Sequence, residues 1–340
     1  MAALSVAAGT MEQLDRMFII GSKADVALKE AEALMAAGAR AGDQQLTVLG
    51  LCKAGDALGL QDKPQEAMEK LRAAKELCED IGFEPGEAAV NYAMARLHAR
   101  FSGKDEELLD KALDYATDAL ATFRSLGSRR GEAAALMTIG DVHSISKEQT
   151  KALQYAKEAL AVYQEIGDQS ATAWMQLKLA EDHLLKPDAR RAAGAIRKAI
   201  SLYQELKSTE DEALSWHFLG QVEAFAQDWL KSVEASTKAR ELFRSLRDYK
   251  GEEKVMNHLV QVHLQREQHA EAVQLAKEIV TLNHESGDRK AEAEALLSLG
   301  QVLLQRNEHE KAFKAQTPTA TTTISSLWRG STITAIMVSQ

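Results

Sequence analysis

Four histidines share one column of the sequence: His98, His143, His183 and His263. Imidazoles at a recurring position could hold a metal ion or titrate together. Zinc, however, needs its ligands converging within about 2 Å of one centre. Equivalent positions on successive packed helices lie on the order of 10 Å apart. The column therefore reads as histidines hydrogen-bonded inside their own units, with a pH-sensitive array as the alternative. Little other chemistry is visible. The chain carries no phosphate-binding glycine loop, HExxH, CxxC, EF-hand loop or GxSxG elbow. Cys52 and Cys78 are too few for a disulfide framework and fall on helical patterns, where they pack as small apolar groups in a reducing compartment. Acidic stretches such as Glu252-Glu253 and Asp105–Glu107 read as solvent cover. No catalytic residue, metal, cofactor or small-molecule substrate is expected, so the chain is read as a non-enzyme.

What places the histidines is a repeat. Alanine recurs every forty residues at Ala112, Ala152, Ala192, Ala272 and Ala312, with Ser232 in the gap, and earlier at Ala27 and Ala67. Seven residues on come Leu34, Ala74, Ala119, Ala159, Ala199, Ala239 and Ile279, and eleven on come Phe123, Tyr163, Tyr203 and Phe243. Offsets of 7 and 11 share one helical face, which marks a helix B. Twelve residues before the anchors stand Gly140, Ala180, Gly220, Val260 and Gly300, each after an apolar residue. These belong to a helix A, where small residues allow close approach to helix B. Gly42, Gly82, Gly127, Gly167 and Gly287 follow helix B as C-caps, with Lys207 and Arg247 replacing glycine twice. Asp168 and Asp288 suit the start of the next helix. The repeats near Ala67 and Ala112 are expected to carry about five extra residues between A and B, in the second as a longer loop at 102–107. A fixed period of this size means stacked supersecondary units.

The columns Ile139-Gly140, Leu219-Gly220 and Leu299-Gly300, with Ala152, Ala159 and Tyr163, resemble the tetratricopeptide repeat. The forty-residue unit is similar to the repeats of the G-protein-signalling modulators that orient spindles, in stretches such as 165–168 and 299–302. The resemblance covers about residues 23–314 and implies an all-α, right-handed superhelical solenoid of about seven antiparallel helix pairs. The motifs that follow the repeats in the spindle-orienting proteins are not found, and that function is not carried over.

The net charge of −9 argues against a general nucleic-acid binder. No run reaches the ~18 apolar residues of a membrane helix, and residues 1–9 lack the basic start of a signal peptide. A cytoplasmic protein without membrane insertion is expected. Residues 1–22 read as a partly helical N-terminal segment, 23–314 as the array, and 315–340 as a Thr/Ser-rich irregular or disordered tail, native or an alternative end.

In tetratricopeptide arrays the A helices line a concave groove, and the resemblance places in it the residues three before and one after each small residue. Here these include Met137 and Asp141, Leu177 and Glu181, His217 and Gln221, Asn257 and Gln261, and Leu297 and Gln301. The lysines and asparagines by which chaperone-binding members clamp a terminal carboxylate do not stand there. Gln221, Asn257, Gln261 and Gln301 both donate and accept, which suits a peptide backbone. Trp174, His217 and Phe225 add apolar anchors. Tyr92, Arg96 and Arg100 share one face at i, i+4 and i+8 and form a basic patch, unless Asp141 and Glu181 neutralise it. The leading expectation is an adaptor or scaffold that binds a peptide segment of a protein partner. The alternative is the regulatory or sensor repeat domain of a larger signalling protein. A vesicle-fusion adaptor resembling the soluble attachment proteins ranks behind both.

Overall fold

The computed structural model describes residues 24–103, 105–185 and 187–305. Among the described residues there are fourteen α-helices and no strand: α1 (Ala24–Ala41), α2 (Gln44–Leu60), α3 (Pro64–Ile81), α4 (Glu84–Phe101), α5 (Glu106–Leu126), α6 (Arg129–Ile145), α7 (Gln149–Glu165), α8 (Gln169–Leu185), α9 (Ala189–Glu205), α10 (Thr209–Phe225), α11 (Trp229–Ser245), α12 (Tyr249–Gln265), α13 (His269–Ser286) and α14 (Arg289–Gln305). Odd-numbered helices are B and even-numbered helices are A. The expected half helix after Ala312 and the two terminal segments lie outside the described residues.

The turns set the period. Each B-to-A turn takes one left-handed residue: Gly42, Gly82, Gly127, Gly167 and Gly287, with Lys207 and Arg247 forced into the same conformation at φ 56° and 55°. In several units a side chain then caps the following helix. Asp168 Oδ1 accepts from the Ala171 N–H at 3.0 Å, and Asp288 Oδ1 from the Ala291 N–H at 3.0 Å. The A-to-B turns also take a left-handed residue, Gly103 before α5 and, without glycine, Asp62, Lys147, Gln227 and Glu267 at φ 57–61°. The insertion before Ala112 differs from expectation. The repeat at Ala67 has no extra residues, because α2 and its turn match α6 and its turn in length. At Ala112 most of the extra length is helical: α5 begins six residues before its anchor, whereas α7 begins three before Ala152. A helix extended by a turn satisfies its own backbone, as a loop would not.

The anchor alanines among the described residues, Ala27 to Ala272, are buried. A Cβ placed on Gly220 would lie 3.3 Å from the Ser232 carbonyl oxygen, and one on Gly140 3.4 Å from that of Ala152, so the small residue sets how closely the two axes approach. The helix B aromatics have a partner column of their own. Phe123 lies against Gly131 and Phe243 against Gly251, at the start of the next A helix. A side chain there would displace a buried ring, whose removal costs about 3–5 kcal/mol.

A second tie between helices was not anticipated. A side chain at the end of helix B reaches the residue eight positions on, in the next helix A. Arg124 Nε donates to Glu132 at 2.9 Å, Gln204 Nε2 to Glu212 at 2.7 Å and Arg244 Nη2 to Glu252 at 2.7 Å, while His284 Nδ1 lies 3.0 Å from Glu292. Glu132 and Glu252 are buried, and each is shared between two arginines.

The chain divides between Leu202 and Tyr203 into two compact units. In the first, one continuous core runs from Val48 to Leu179. In the second, cores form around Phe243 and Val255 and around Met256, Ile279 and Leu299.

Candidate functional site

The histidine column resolves into structure. The His98 ring stacks on Tyr115 with centroids 5.7 Å apart, and that of His143 on Tyr155 at 5.4 Å. His143 Nδ1 lies 2.7 Å from Glu148 and His263 Nδ1 2.9 Å from Gln268, each in the turn that follows its own helix A. These histidines tie the A–B turn to helix A. Among the described residues no group of three His, Cys, Asp or Glu side chains is placed to hold a metal ion. Cys52 and Cys78 are buried, and burial pushes both thiols up, that of Cys78 to about 12.

In the first unit, helices α2, α4, α6 and α8 form an open recess of ≈ 320 Å³. Its floor is small, with Gly55, Gly59, Ala93 and Ala99, and its walls carry Asp56, Arg96, Arg100, Asp141 and Lys178. Here the expected basic patch is already neutralised. Arg96 Nη1 donates to Asp56 at 2.6 Å and to the buried Tyr92 hydroxyl at 3.2 Å. Arg100 donates to Asp62 at 3.0 Å. The partners expected for these arginines, Asp141 and Glu181, instead take Lys178, at 3.2 and 3.0 Å. Burial opposes the Arg96 charge, but Asp56, Tyr92 and Asp141 outweigh it and hold the guanidinium protonated. The same balance against Asp141 and Glu181 raises Lys178. Burial raises Tyr92 to about 12, with Arg96 pulling the other way. The charges of this face stand in closed ion pairs across successive A helices. Trp174, expected as an anchor, is half-buried against the core of this unit.

In the second unit a recess on the A-helix side is lined by uncharged residues. Asn257, Gln261, Ser298 and Gln301 from α12 and α14 surround a smaller recess, over a floor that includes Val260, Leu264, Ile279 and Val302. The three amides are exposed, and none is bonded to another described side chain. Gln221 on α10 is exposed too, but its Nε2 lies 3.2 Å from His217 Nε2. The His217 ring meets His258 edge to face at 5.7 Å. His258 Nε2 lies 3.2 Å from Ser232 Oγ, which donates to the Gly220 carbonyl at 2.8 Å. Ser232 thus replaces the anchor alanine and bonds helix A directly. Burial, then His258 and Lys254, lowers His217 to about 4, and burial lowers His258. Phe225, one turn beyond Gln221, is 60% exposed. The structure therefore gathers Asn257, Gln261 and Gln301 in one place, Tyr92, Arg96 and Arg100 in another, and pairs His217 with Gln221.

Asp56, Asp62, Lys178, His258 and Ser298 escaped the sequence reading. The period held the signal for Asp56, which stands forty residues before Arg96.

No family model matches the chain, and no curated protein matches it. Solved structures do. A signal-transduction ATPase with a tetratricopeptide repeat sensor from Pyrococcus horikoshii aligns at TM-score 0.62 and 16% identity, over 87% of this chain and 47% of that one. Aspartyl phosphate phosphatase F from Bacillus subtilis aligns at TM-score 0.54 and 13% identity, over 90% and 91%. The Rap conjugation gene regulator of plasmid pLS20, bound to a Phr peptide, aligns at TM-score 0.50 and 14% identity, over 84% and 77%. The fold is a tetratricopeptide-like helical solenoid. At these identities the likeness carries the fold and nothing further. No described helix is long and apolar enough to cross a membrane.

Proposed function

We propose that this chain is a non-enzymatic adaptor that binds an extended peptide segment of a protein partner on the A-helix face of its second unit. One observation carries the reading: Asn257, Gln261 and Gln301 meet at one recess with their amides unspent. An amide that donates and accepts matches a peptide group, and leaving such groups free in a closely packed array costs little only where water or a ligand serves them. The charges of the first unit are held in pairs and supply less. The pLS20 regulator, a neighbour in fold, is a peptide complex, which agrees with this choice. Likeness to the spindle-orienting modulators belongs to the same reading and rests on the repeat columns alone. A second reading, a sensor array within a larger signalling protein, draws on the Pyrococcus neighbour, whose repeats are the sensor of an ATPase.

The test is selection of a random twelve-residue peptide library on the full chain. Enriched peptides should bind the N257A/Q261A/Q301A variant at least tenfold more weakly, with its helical circular dichroism unchanged. Peptides that bind the variant equally well place the site elsewhere.

A further inference from the structure

The recess of the second unit has two kinds of wall. Its inner lining is aliphatic: Val260 and Leu264 from α12, Ala276 and Ile279 from α13, Ala295 and Val302 from α14. All but Leu264 are buried, and all belong to the core around Ile279 and Leu299 or pack against it. Its rim is polar without charge: Asn257, Gln261, Ser298 and Gln301, all exposed. The hollow measures ≈ 90 Å³. It is a gap in the core whose mouth is ringed by amides and one hydroxyl.

We infer that this recess seats one aliphatic side chain of the bound segment, of the size of valine, leucine or isoleucine. The inference rests on the proposed binding at these amides and names what the segment must carry there. Size excludes the larger ligands. Pockets for whole small molecules run to about 300–1,000 Å³, so ≈ 90 Å³ holds one side chain. An apolar cavity of about 150 Å³ accepts a benzene ring, so a phenyl or indole group is too large for ≈ 90 Å³. An alanine methyl is too small, because it leaves most of the lining without contact, and each further methylene buried gains about fourfold in affinity. Water is a poor occupant of the floor, since aliphatic walls offer it no hydrogen bond. A charged side chain would lose its hydration and find no counter-ion among the lining residues. The rim then serves the peptide groups next to the seated residue, each amide accepting from an N–H and donating to a carbonyl. An apolar pocket with a few convergent polar groups is the general form of a binding site.

The test starts from a random twelve-residue library selected on the full chain. Enriched peptides should share one Val, Leu or Ile position. Replacing it by Ala, Phe or Lys should weaken binding at least tenfold. Two changes in the protein address the recess itself. Ser298→Leu, at an exposed rim position, places a side chain in the mouth and should weaken binding at least tenfold, whereas Ser298→Ala should stay within twofold. Val302→Ala removes two carbons from the lining and should narrow the preference for Leu over Phe at least fivefold, a change of ranking that lost stability alone would not produce. Circular dichroism confirms that each variant is folded. Peptides that need the amides but tolerate Ala, Phe or Lys at every aliphatic position overturn the inference and leave the binding reading standing. Full affinity for Ser298→Leu, or an unchanged ranking on Val302→Ala, does the same. Peptides that bind the triple amide variant as tightly as the wild type, or no enrichment at all, overturn both.

Discussion

The residue after the small residue of helix A is Asp56, Arg96, Asp141 and Glu181 in the first unit, and Gln221, Gln261 and Gln301 in the second. Both units use the same packing frame, with tight A–B contacts, left-handed turn residues and the clamp from the end of helix B. They differ in the side chains that frame leaves facing outward. In the first unit charges close on one another across successive A helices, as Arg96 does on Asp56 and Lys178 on Asp141. In the second, Gln221 meets His217, while the amides of Gln261 and Gln301 bond no other described side chain. An ion pair between neighbouring repeats is a structural cross-tie, whereas an amide without one leaves its donor and acceptor to solvent, so the two units fill one column differently.

The largest expected break between the units lies in their response to acid. Burial raises Asp182, in the first unit, from 3.8 to about 6, with Lys178 partly offsetting it. The folded unit then holds its proton longer than the unfolded chain, so the stability is full below pH ~4 and is lost as pH rises to about 6. His217, in the second unit, shifts from 6.5 to about 4. Here the unfolded chain takes up the proton first, so stability is full above pH 6.5 and is lost as pH falls toward 4. Each effect is of order 3 kcal/mol across its window. Urea unfolding of the full chain between pH 4 and 7 should therefore show opposite changes in slope for Asp182→Asn and His217→Gln. Parallel changes in the two variants would remove the contrast.

Next in size is the cross-tie itself. Asp56→Ala leaves Arg96 partly buried without its nearest counter-charge and should cost about 2 kcal/mol. Gln261→Ala, at the matching column of the second unit, should stay within about 0.5 kcal/mol. Equal losses in the same denaturation experiment would mean that Gln261 is structural and the comparison is wrong. The smallest effect tests the frame that the units share. Lys147 and Gln227 hold left-handed turns at φ 61° with a side chain in the way. Lys147→Gly and Gln227→Gly should each raise stability by about 0.5–1 kcal/mol, seen as a higher urea midpoint. A gain in one unit alone would show that the two do not share one turn geometry.

Much of the fold was legible because packing leaves a periodic trace. Ala152, Gly140 and Tyr163 recur at fixed offsets since a helix pair can approach closely in few ways. Gly127 and Gly167 mark turns since they accept a left-handed backbone cheaply. Lys147, Gln227 and Glu267 gave no such mark, because the turn forces a conformation that their side chains do not advertise. The extra residues before Ala112 looked like a loop because polar residues suit a solvated helix turn equally well. Of the candidate site, the sequence put Arg96, Arg100, Gln261 and Gln301 on the same side of their A helices, since helical period fixes direction. It did not decide which of these side chains were already engaged. The folded chain settled that, because Asp56 and Arg96, or Asn257 and Gln301, become neighbours only when one repeat stacks on the next, and a few ångströms there decide whether a polar group is paired or left open.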